Sequence, residues 1–325
     1  MRRSASARRV QEPQSRPPRH RRRRASRLPR VEPHQPQPHG RALAGDSLCG
    51  GAGTRGGGAV SDDGGLTDLP LKGDLLAFIE RNDDPVEGAL IVARILESDD
   101  ADVDWARGEI ERIAASARER GEPGATHVVA EMASQGFTGA RERYYELENS
   151  ILPHVLKSQQ GIPVSMGVVA MGVARLLGLD AVGVNFPRHF LVTIGGALVD
   201  PFGLRVTSRE ECMAWLRANR VGEAGAFAKA TPREVALRML NNARMLVQRG
   251  GDPARALTLS DYQLLIVPEM YGIYVERADL WMALGAPEMV TEELERAVQY
   301  APSEEIAMRL RERARQSRGG RSTVN

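Results

Sequence analysis

The spacing of apolar residues changes twice along the chain. From Leu71 to about residue 134, apolar residues recur every three or four positions, which predicts a run of amphipathic helices. Residues 181–202 instead form short apolar stretches with the character of β-strands, and the helical spacing returns after Thr231. The chain therefore predicts an α+β fold, in which a small β region lies between two helical regions.

The first helical region contains four predicted helices and no cluster of reactive side chains. The second of these helices has clear start signals. Asp84 is expected to be its N-cap residue, and Pro85 follows in the first helical turn, where proline is favoured. The four helices are expected at about 71–79, 85–98, 103–120 and 125–134. Together they predict a packed helical subdomain at 67–148.

The next segment predicts a helix that is buried on all sides. Asn149 is expected to cap a helix at 150–159, and Gly161 and Pro163 separate it from a second helix at 164–177. This second helix is apolar nearly all round, so we expect it to be the central helix of a core domain at 149–230.

Three strands follow, at 181–186, 188–194 and 197–202. Gly195 and Gly196 predict a two-residue hairpin turn between the second and the third strand. That turn places His189 and Asp200 on the same face as diagonal neighbours, whose backbones lie about 7–8 Å apart. An Asp–His pair is therefore expected in the hairpin.

The C-terminal region repeats itself with a period of 34 residues. Gly251 and Gly285 are 34 positions apart, and so are two pairs of prolines that follow the same pattern. This is the period of tetratricopeptide repeats, so residues 231–316 predict two helical repeats and a capping helix, followed by a disordered tail at 317–325. The repeats either extend the core or bind a protein partner through their first helices. The residues considered for such binding are Arg238, Asn241, Asn242 and Tyr274.

Charge is distributed unevenly along the chain. The first 45 residues contain 13 Arg and two Glu, whereas the rest contains 31 basic and 40 acidic residues. Residues 1–66 are rich in Arg, Pro and Gly, so we expect them to be disordered. This tail is either inert or a nucleic-acid-binding arm, although it has no aromatic residue on which bases could stack.

The low cysteine content suggests a reducing compartment, which we take to be the cytoplasm. The only cysteines are Cys49 and Cys212, and we expect Cys212 to be packed in a helix. No apolar run is long enough to cross a membrane, and the N-terminus lacks the apolar part of a secretory signal. The His and Cys spacings indicate neither a metal site nor a cofactor; His154, for example, lies alone on its helix.

Several motifs resemble those of the bacterial SirB-type family. They are GFTG (136–139), YYELENSILPHVL (144–156), GIPVSMGVVAMGVARLLGL (161–179), NFPRHFLV (185–192) and VDPFG (199–203). The resemblance implies a transglutaminase-like, papain-like core followed by tetratricopeptide-like repeats. It also implies a relation to eukaryotic F-box proteins, and therefore a role in binding.

The resemblance identifies where a catalytic nucleophile would stand. Active transglutaminase-like enzymes place a cysteine at the start of the central helix, where the helix dipole and a nearby histidine lower the pKa of the thiol. The matching residue is Pro163, while His189 and Asp200 match the histidine and the aspartate of the family. Two members of the triad are therefore kept, and the nucleophile is missing.

Ser165 is the candidate substitute for that nucleophile. It lies two positions beyond Pro163, about 200° round the helix, so it either completes a serine triad or only satisfies backbone donors at the helix start. His189 is either structural or part of a ligand site with Asn185 and Arg188. We expect a non-catalytic, protein-binding regulator or adaptor; the alternative is a hydrolase or acyl transferase that uses Ser165, His189 and Asp200.

Overall fold

The computed structural model describes residues 69–97 and 102–319, which all belong to one compact unit. The predicted tail at 1–66, with Cys49, lies outside the described residues. The helices are α1 (Lys72–Arg81), α2 (Pro85–Glu97), α3 (Val103–Arg120), α4 (Ala125–Ser134), α5 (Leu152–Ser158), α6 (Pro163–Leu176), α7 (Arg209–Ala218), α8 (Pro232–Arg249), α9 (Pro253–Ile266), α10 (Tyr271–Ala283), α11 (Pro287–Gln299) and α12 (Glu304–Gly319). The strands are β1 (Thr138–Gly139), β2 (Gln160–Gly161), β3 (Ala181–Asn185), β4 (Leu191–Ile194), β5 (Ala197–Asp200), β6 (Arg205–Val206) and β7 (Ala228–Ala230).

The structure confirms the α+β fold class, with the strands concentrated between two helical regions. Five strands form an antiparallel sheet in the order β6-β5-β4-β3-β7, and β1 pairs with β2 in parallel. The sheet is wider than the three strands expected, because β6 and β7 are too short to produce a pattern of their own. The hairpin register is as expected, since Ile194 is opposite Ala197.

The central helix α6 is buried from Pro163 to Ala174, as its apolar sequence predicts. It packs against α2, α3 and α4 as well as β3 and β4. Close approach to the sheet depends on Gly167 in α6 and Gly183 in β3, because a Cβ on either would lie within 2.7 Å of the Phe190 ring. Phe190 therefore fills the space between the helix and the sheet.

One hydrophobic core joins the N-terminal helices, α6, the sheet and α8 to α10. Helix α8 starts at the N-cap Thr231, whose side chain and that of Glu234 satisfy each other's backbone N–H groups. It then packs against both α2 and α9, and α10 to α12 build a second core of their own. A third, smaller cluster lies between the sheet and α7.

The start of α5 and the end of α12 differ from the sequence-based prediction. Asn149 does not cap a helix at 150–159; it lies in a 3₁₀ turn (Leu147–Ser150), and α5 begins only at Leu152. The side-chain amide of Asn149 instead donates a hydrogen bond to the carbonyl of Arg143. At the C-terminus, α12 continues to Gly319, so residues 317–319 are helical and not part of a disordered tail.

No helix among residues 69–97 and 102–319 combines the length and the apolar character needed to cross a membrane.

Candidate functional site

His189 and Asp200 form a buried hydrogen-bonded pair. The distance between His189 Nε2 and Asp200 Oδ1 is 2.9 Å; the imidazole is 11% exposed and the carboxylate is fully buried. Because an ionised carboxylate only accepts hydrogen bonds, Nε2 carries the hydrogen. A neutral His189 then presents the lone pair of Nδ1, which has no hydrogen-bond partner in the described part of the chain.

The pair forms although His189 is not in a strand. The sequence predicts a second strand from residue 188, but β4 starts at Leu191, and His189 lies in the turn before it. Arg188 has a left-handed backbone with φ of 58°, which bends the chain at this point. The turn aims the imidazole at the end of β5, so the expected pair is reached by a different route from the diagonal of a regular ladder.

The surroundings of Asp200 favour its ionised form. Its Oδ1 also accepts from Gly203 N at 3.0 Å, and Arg205 Nε lies 3.8 Å from Oδ2. Burial alone would raise the pKa of this carboxyl, but His189, Gly203 and Arg205 together lower the pKa below its usual value. Gly203 also makes the close turn possible, because a Cβ there would lie 2.7 Å from Oδ2.

Ser165 is bonded to the backbone and makes no hydrogen bond to His189 within the described residues. Its hydroxyl donates to Asn149 O at 2.7 Å, with Ile162 O at 3.1 Å as a second acceptor, and it accepts from Ile162 N at 3.1 Å. The side chain is fully buried and leans over Gly161, where a Cβ would lie 2.7 Å from Oγ. Ser165 thus satisfies polar groups at the start of α6.

Pro163 is the first residue of α6 and is buried. A proline suits this position, since the N–H of the first helical residue has no partner within the helix. Its ring offers no nucleophile and no proton donor. The site thus combines a complete His–Asp pair with a helix start that carries no reactive group at the matching position.

Aromatic and cationic side chains surround His189, and sequence reasoning did not place them in the site. The rings of His189 and Phe202 are perpendicular, with centroids 6.1 Å apart, and Tyr144 contacts Phe202 at 6.0 Å. Arg238 of α8 donates to His189 O at 2.7 Å. Tyr144 and Phe202 occur in the YYELENS and VDPFG motifs, but nothing in the sequence shows that these two motifs meet.

The structure does not place the other candidate residues in the His189–Asp200 pair. Asn185 is half-buried at the end of β3, and Arg188 is exposed. Cys212 is buried in α7, where burial raises the pKa of its thiol. His154 lies 2.6 Å from Glu97, away from the hairpin, and the described residues contain no group of three His, Cys, Asp or Glu side chains that could hold a metal ion.

Sequence comparisons support a transglutaminase-like assignment. A family model described as the transglutaminase-like superfamily matches residues 104–241, the part of the chain that includes Pro163, His189 and Asp200. The UPF0162 protein of Pseudomonas aeruginosa is 32% identical over 205 residues, covering 61% of this chain and 74% of that protein. Protein SirB1 of Salmonella typhimurium is 24% identical over 260 residues, covering 73% of this chain and 94% of SirB1. This chain belongs to the SirB-type family.

The SirB-type chain also resembles a eukaryotic protein. Human F-box only protein 21 is 30% identical over 166 residues, which cover 46% of this chain and 26% of the human protein. The comparison with solved structures found no significant match.

Proposed function

We propose that this SirB-type chain is a non-catalytic transglutaminase-like protein that binds a protein partner and acts as an adaptor or regulator. The observation that carries the proposal is the start of α6. Pro163 occupies the position matched to the nucleophile, and the hydroxyl of Ser165 is used by Asn149 O and the backbone of Ile162. Acyl transfer needs a nucleophile within hydrogen-bond reach of its base, and these contacts leave His189 without one among residues 69–97 and 102–319.

Two features support a binding role for the His189–Asp200 site and the helices that follow it. His189 is partly exposed and presents Nδ1, so its turn can contact a ligand while Asp200 holds the ring in place. Helices α8 to α12 pack in consecutive pairs, and we take these as tetratricopeptide-like repeats. Helix α8 contacts the His189 turn through Arg238. Tyr274 is not available for binding: it is buried, stacks on Tyr300 and donates its hydroxyl to Pro268 O.

We place this function in the cytoplasm, because a chain with two cysteines suits a reducing compartment. The region matched in human F-box only protein 21 is 26% of that protein, so there a related sequence is part of a larger chain.

An activity-probe experiment tests the absence of catalysis. The full chain would be incubated with a fluorophosphonate and an iodoacetamide probe, and labelled residues would be mapped by mass spectrometry. We expect no label on Ser165, because its Oγ is buried and bonded to backbone groups. Hydrolysis of p-nitrophenyl acetate that disappears in Ser165→Ala would contradict the proposal and favour the hydrolase or acyl transferase.

A cysteine at Pro163 tests the assignment of the nucleophile position. In a Cys49→Ser background, Pro163→Cys should give a thiol whose pKa lies below the usual 8.5 or so, because of the helix start and His189. The measurement is the pH dependence of alkylation, and the control adds His189→Ala, which should raise the thiol pKa again. A thiol that titrates near 8.5 in both variants would show that this position does not face the imidazole.

A further inference from the structure

A cavity lies where the two helical regions meet the sheet. It has a volume of about 240 Å³ and lies between the start of α2, the C-terminal half of α6, strands β3 and β7, and the start of α8. Of the described residues, those that line it do not include Pro163, Ser165, His189 or Asp200. This cavity, which we call the α2–α8 cavity, is therefore separate from the candidate site described above.

The walls of the α2–α8 cavity are largely apolar. They are formed by Pro85, Met171, Ala230, Pro232 and Val235. Met171 and Val235 are each only 1% exposed, so these walls belong to the main core. Pockets for drug-sized ligands begin at about 300 Å³, and this smaller volume corresponds to about eight water molecules at roughly 30 Å³ each. The cavity therefore has room for one small molecule with an apolar part.

Arg175 adds a fixed positive charge to this apolar lining. Its Nη1 donates to Asp83 O at 2.6 Å, and its Nε donates to Ala181 O at 3.3 Å. These carbonyls hold the guanidinium in place without neutralising it, and Arg175 makes no ion pair within residues 69–97 and 102–319. Because a guanidinium has five N–H donors, these two bonds leave donors for a carboxylate.

A second donor and two helix starts also favour a negative group here. The side-chain Oδ1 of Asn82 accepts from Arg233 N at 2.8 Å, while its Nδ2 has no acceptor in the described part of the chain. Helices α2 and α8 both begin at prolines of the lining, Pro85 and Pro232. The positive ends of their dipoles therefore lie beside the cavity.

An acceptor for a positive group lies next to these donors. The carboxylate of Asp83 is exposed and makes no ion pair among the residues that the structure describes, whereas the neighbouring Asp84 accepts from Val86 N. Lys229 also belongs to the lining, but side chains alternate along β7 and Ala230 faces the main core. The Lys229 side chain therefore faces the other side of the sheet, and we count no contact from it.

We propose that the α2–α8 cavity binds a single apolar α-amino acid, of the size of leucine. Its carboxylate would accept from Arg175 and from Asn82 Nδ2, and its ammonium would donate to Asp83. The two charges of an amino acid are on one carbon atom, and the bond from Arg175 Nη1 to Asp83 O shows that the two residues are direct neighbours. The apolar side chain would lie between Met171 and Val235.

The same groups disfavour related molecules. A branched fatty acid has the apolar part and the carboxylate, but it offers Asp83 no ammonium, and the two carboxylates would repel each other. An alkylamine lacks the group that Arg175 would bind. A peptide exceeds the volume of the cavity.

Isothermal titration calorimetry of the full chain with L-leucine tests this inference. The comparison ligands are 4-methylpentanoate, which lacks the ammonium, 3-methylbutylamine, which lacks the carboxylate, and glycine, which lacks the side chain. We expect leucine to bind about tenfold or more tightly than each of them, because a lost hydrogen bond between charged groups changes affinity by at least this factor. No measurable binding of leucine, or equal affinity for 4-methylpentanoate, would overturn the inference.

Asp83→Asn gives the sharpest variant, because Asp83 is exposed and its substitution leaves the walls intact. It should weaken leucine binding about tenfold and strengthen the binding of 4-methylpentanoate. Glu80→Gln is the matched control: Glu80 is an exposed carboxylate three residues earlier and outside the lining, so leucine affinity should stay within about twofold. Equal losses in both variants would mean that only the overall charge matters.

Arg175→Gln should weaken the binding of both leucine and 4-methylpentanoate. Since Arg175 also holds two carbonyls, circular dichroism must show that this variant is folded; if it is not, Asp83→Asn still decides the question.

Methyl NMR locates the bound amino acid. In protein labelled with ¹³C at the methionine methyl groups, leucine should shift the signal of Met171, which Met171→Leu identifies by its disappearance. Shifts confined to other methionines, such as Met245 on α8, would overturn the assignment to this cavity. The adaptor proposal is independent of this result, because a chain that binds a protein partner without binding leucine would still be an adaptor.

Discussion

Ser165 illustrates how a residue of the right type can be unsuitable for catalysis. Its position near a helix start, in a chain that also has His189 and Asp200, suggested a triad. Its hydroxyl instead bonds to Asn149 O and the backbone of Ile162. Because a buried polar group must be satisfied by whatever lies within reach, its partners depend on the local backbone.

Asp200→Asn should flatten the pH dependence of stability at acid pH. The folded-state pKa of Asp200 is lower than its usual value of about 3.9. The stability from its ionised form is therefore complete above pH 3.9 or so, and it is lost as pH falls through the lowered pKa. Urea unfolding between pH 2 and 7 measures this effect. At neutral pH the variant should lose about 1.5–3 kcal/mol, the usual value for a hydrogen bond to a charged group.

His189→Gln provides the control, because it removes the main group that holds the pKa of Asp200 down. It should flatten the same pH range, but less than Asp200→Asn, since Gly203 and Arg205 still contact the carboxylate. An acid slope that is unchanged in both variants would contradict this account of the pair.

Arg188→Gly should be more stable than Arg188→Ala by about 1 kcal/mol. Arg188 is exposed and has φ of 58°, a left-handed conformation that costs non-glycine residues roughly 1–2 kcal/mol. Both variants lose the arginine side chain, so the difference between their free energies of unfolding reports the backbone conformation alone. That difference is reduced because glycine has the greater conformational entropy in the unfolded chain. Chemical denaturation measures it, and equal stabilities would show that the turn relaxes.

At the scale of elements, α6 and the sheet depend on a close approach at Phe190. Gly167→Ala would place a Cβ 2.7 Å from the Phe190 ring, in a region where the helix is buried all round. Overpacking of this kind costs about 1–3 kcal/mol, so we expect a loss of that size in the free energy of unfolding.

Gly108→Ala is the matched substitution for this prediction. Gly108 lies in the middle of α3, is exposed, and has no atom within 4 Å of an added Cβ. Alanine there should stabilise the protein by about 0.5–1 kcal/mol through helix propensity. If both alanine variants shift stability in the same direction, the close contact with Phe190 is not the cause.

At the scale of the whole molecule, buried ion pairs connect the C-terminal helices. Arg277 of α10 donates to Glu293 Oε1 of α11 at 2.9 Å, and to Ser260 Oγ and Asp261 Oδ1 of α9 at 2.7 and 2.6 Å. Glu293 is almost fully buried, so it depends on these partners for its charge to be tolerated. This network fixes how the last helices pack on the rest of the chain.

Arg277→Ala should therefore destabilise the protein by about 3–5 kcal/mol, because it leaves a buried carboxylate unpaired. Hydrogen exchange of α10 to α12 would show whether the loss is local. The exposed pair of Arg309 and Glu305 is the control, since removing Arg309 should cost less than about 1 kcal/mol. Similar losses in the two variants would mean that the buried network contributes little.

The sequence by itself determined the fold class, most helix bounds, the hairpin turn and the proline at the start of α6. These features follow from local causes: apolar periodicity, helix-start residues and the Gly195–Gly196 turn act over a few residues. The bounds of α3 and α4 match the prediction. The hairpin predicts that His189 and Asp200 approach each other, but the observed contact also depends on the turn at Arg188, because His189 precedes β4.

Only the tertiary structure decided the hydrogen bonds of Ser165, the addition of β6 and β7 to the sheet, and the contact between Tyr145 and Arg249. Tyr145 and Arg249 are more than 100 residues apart, and nothing local links them. They meet because α8 packs against α2 and against the 3₁₀ turn that follows Tyr145, a placement set by burial of apolar surface across the whole core. Local patterns specify elements, whereas contacts between distant elements depend on how all of them pack together.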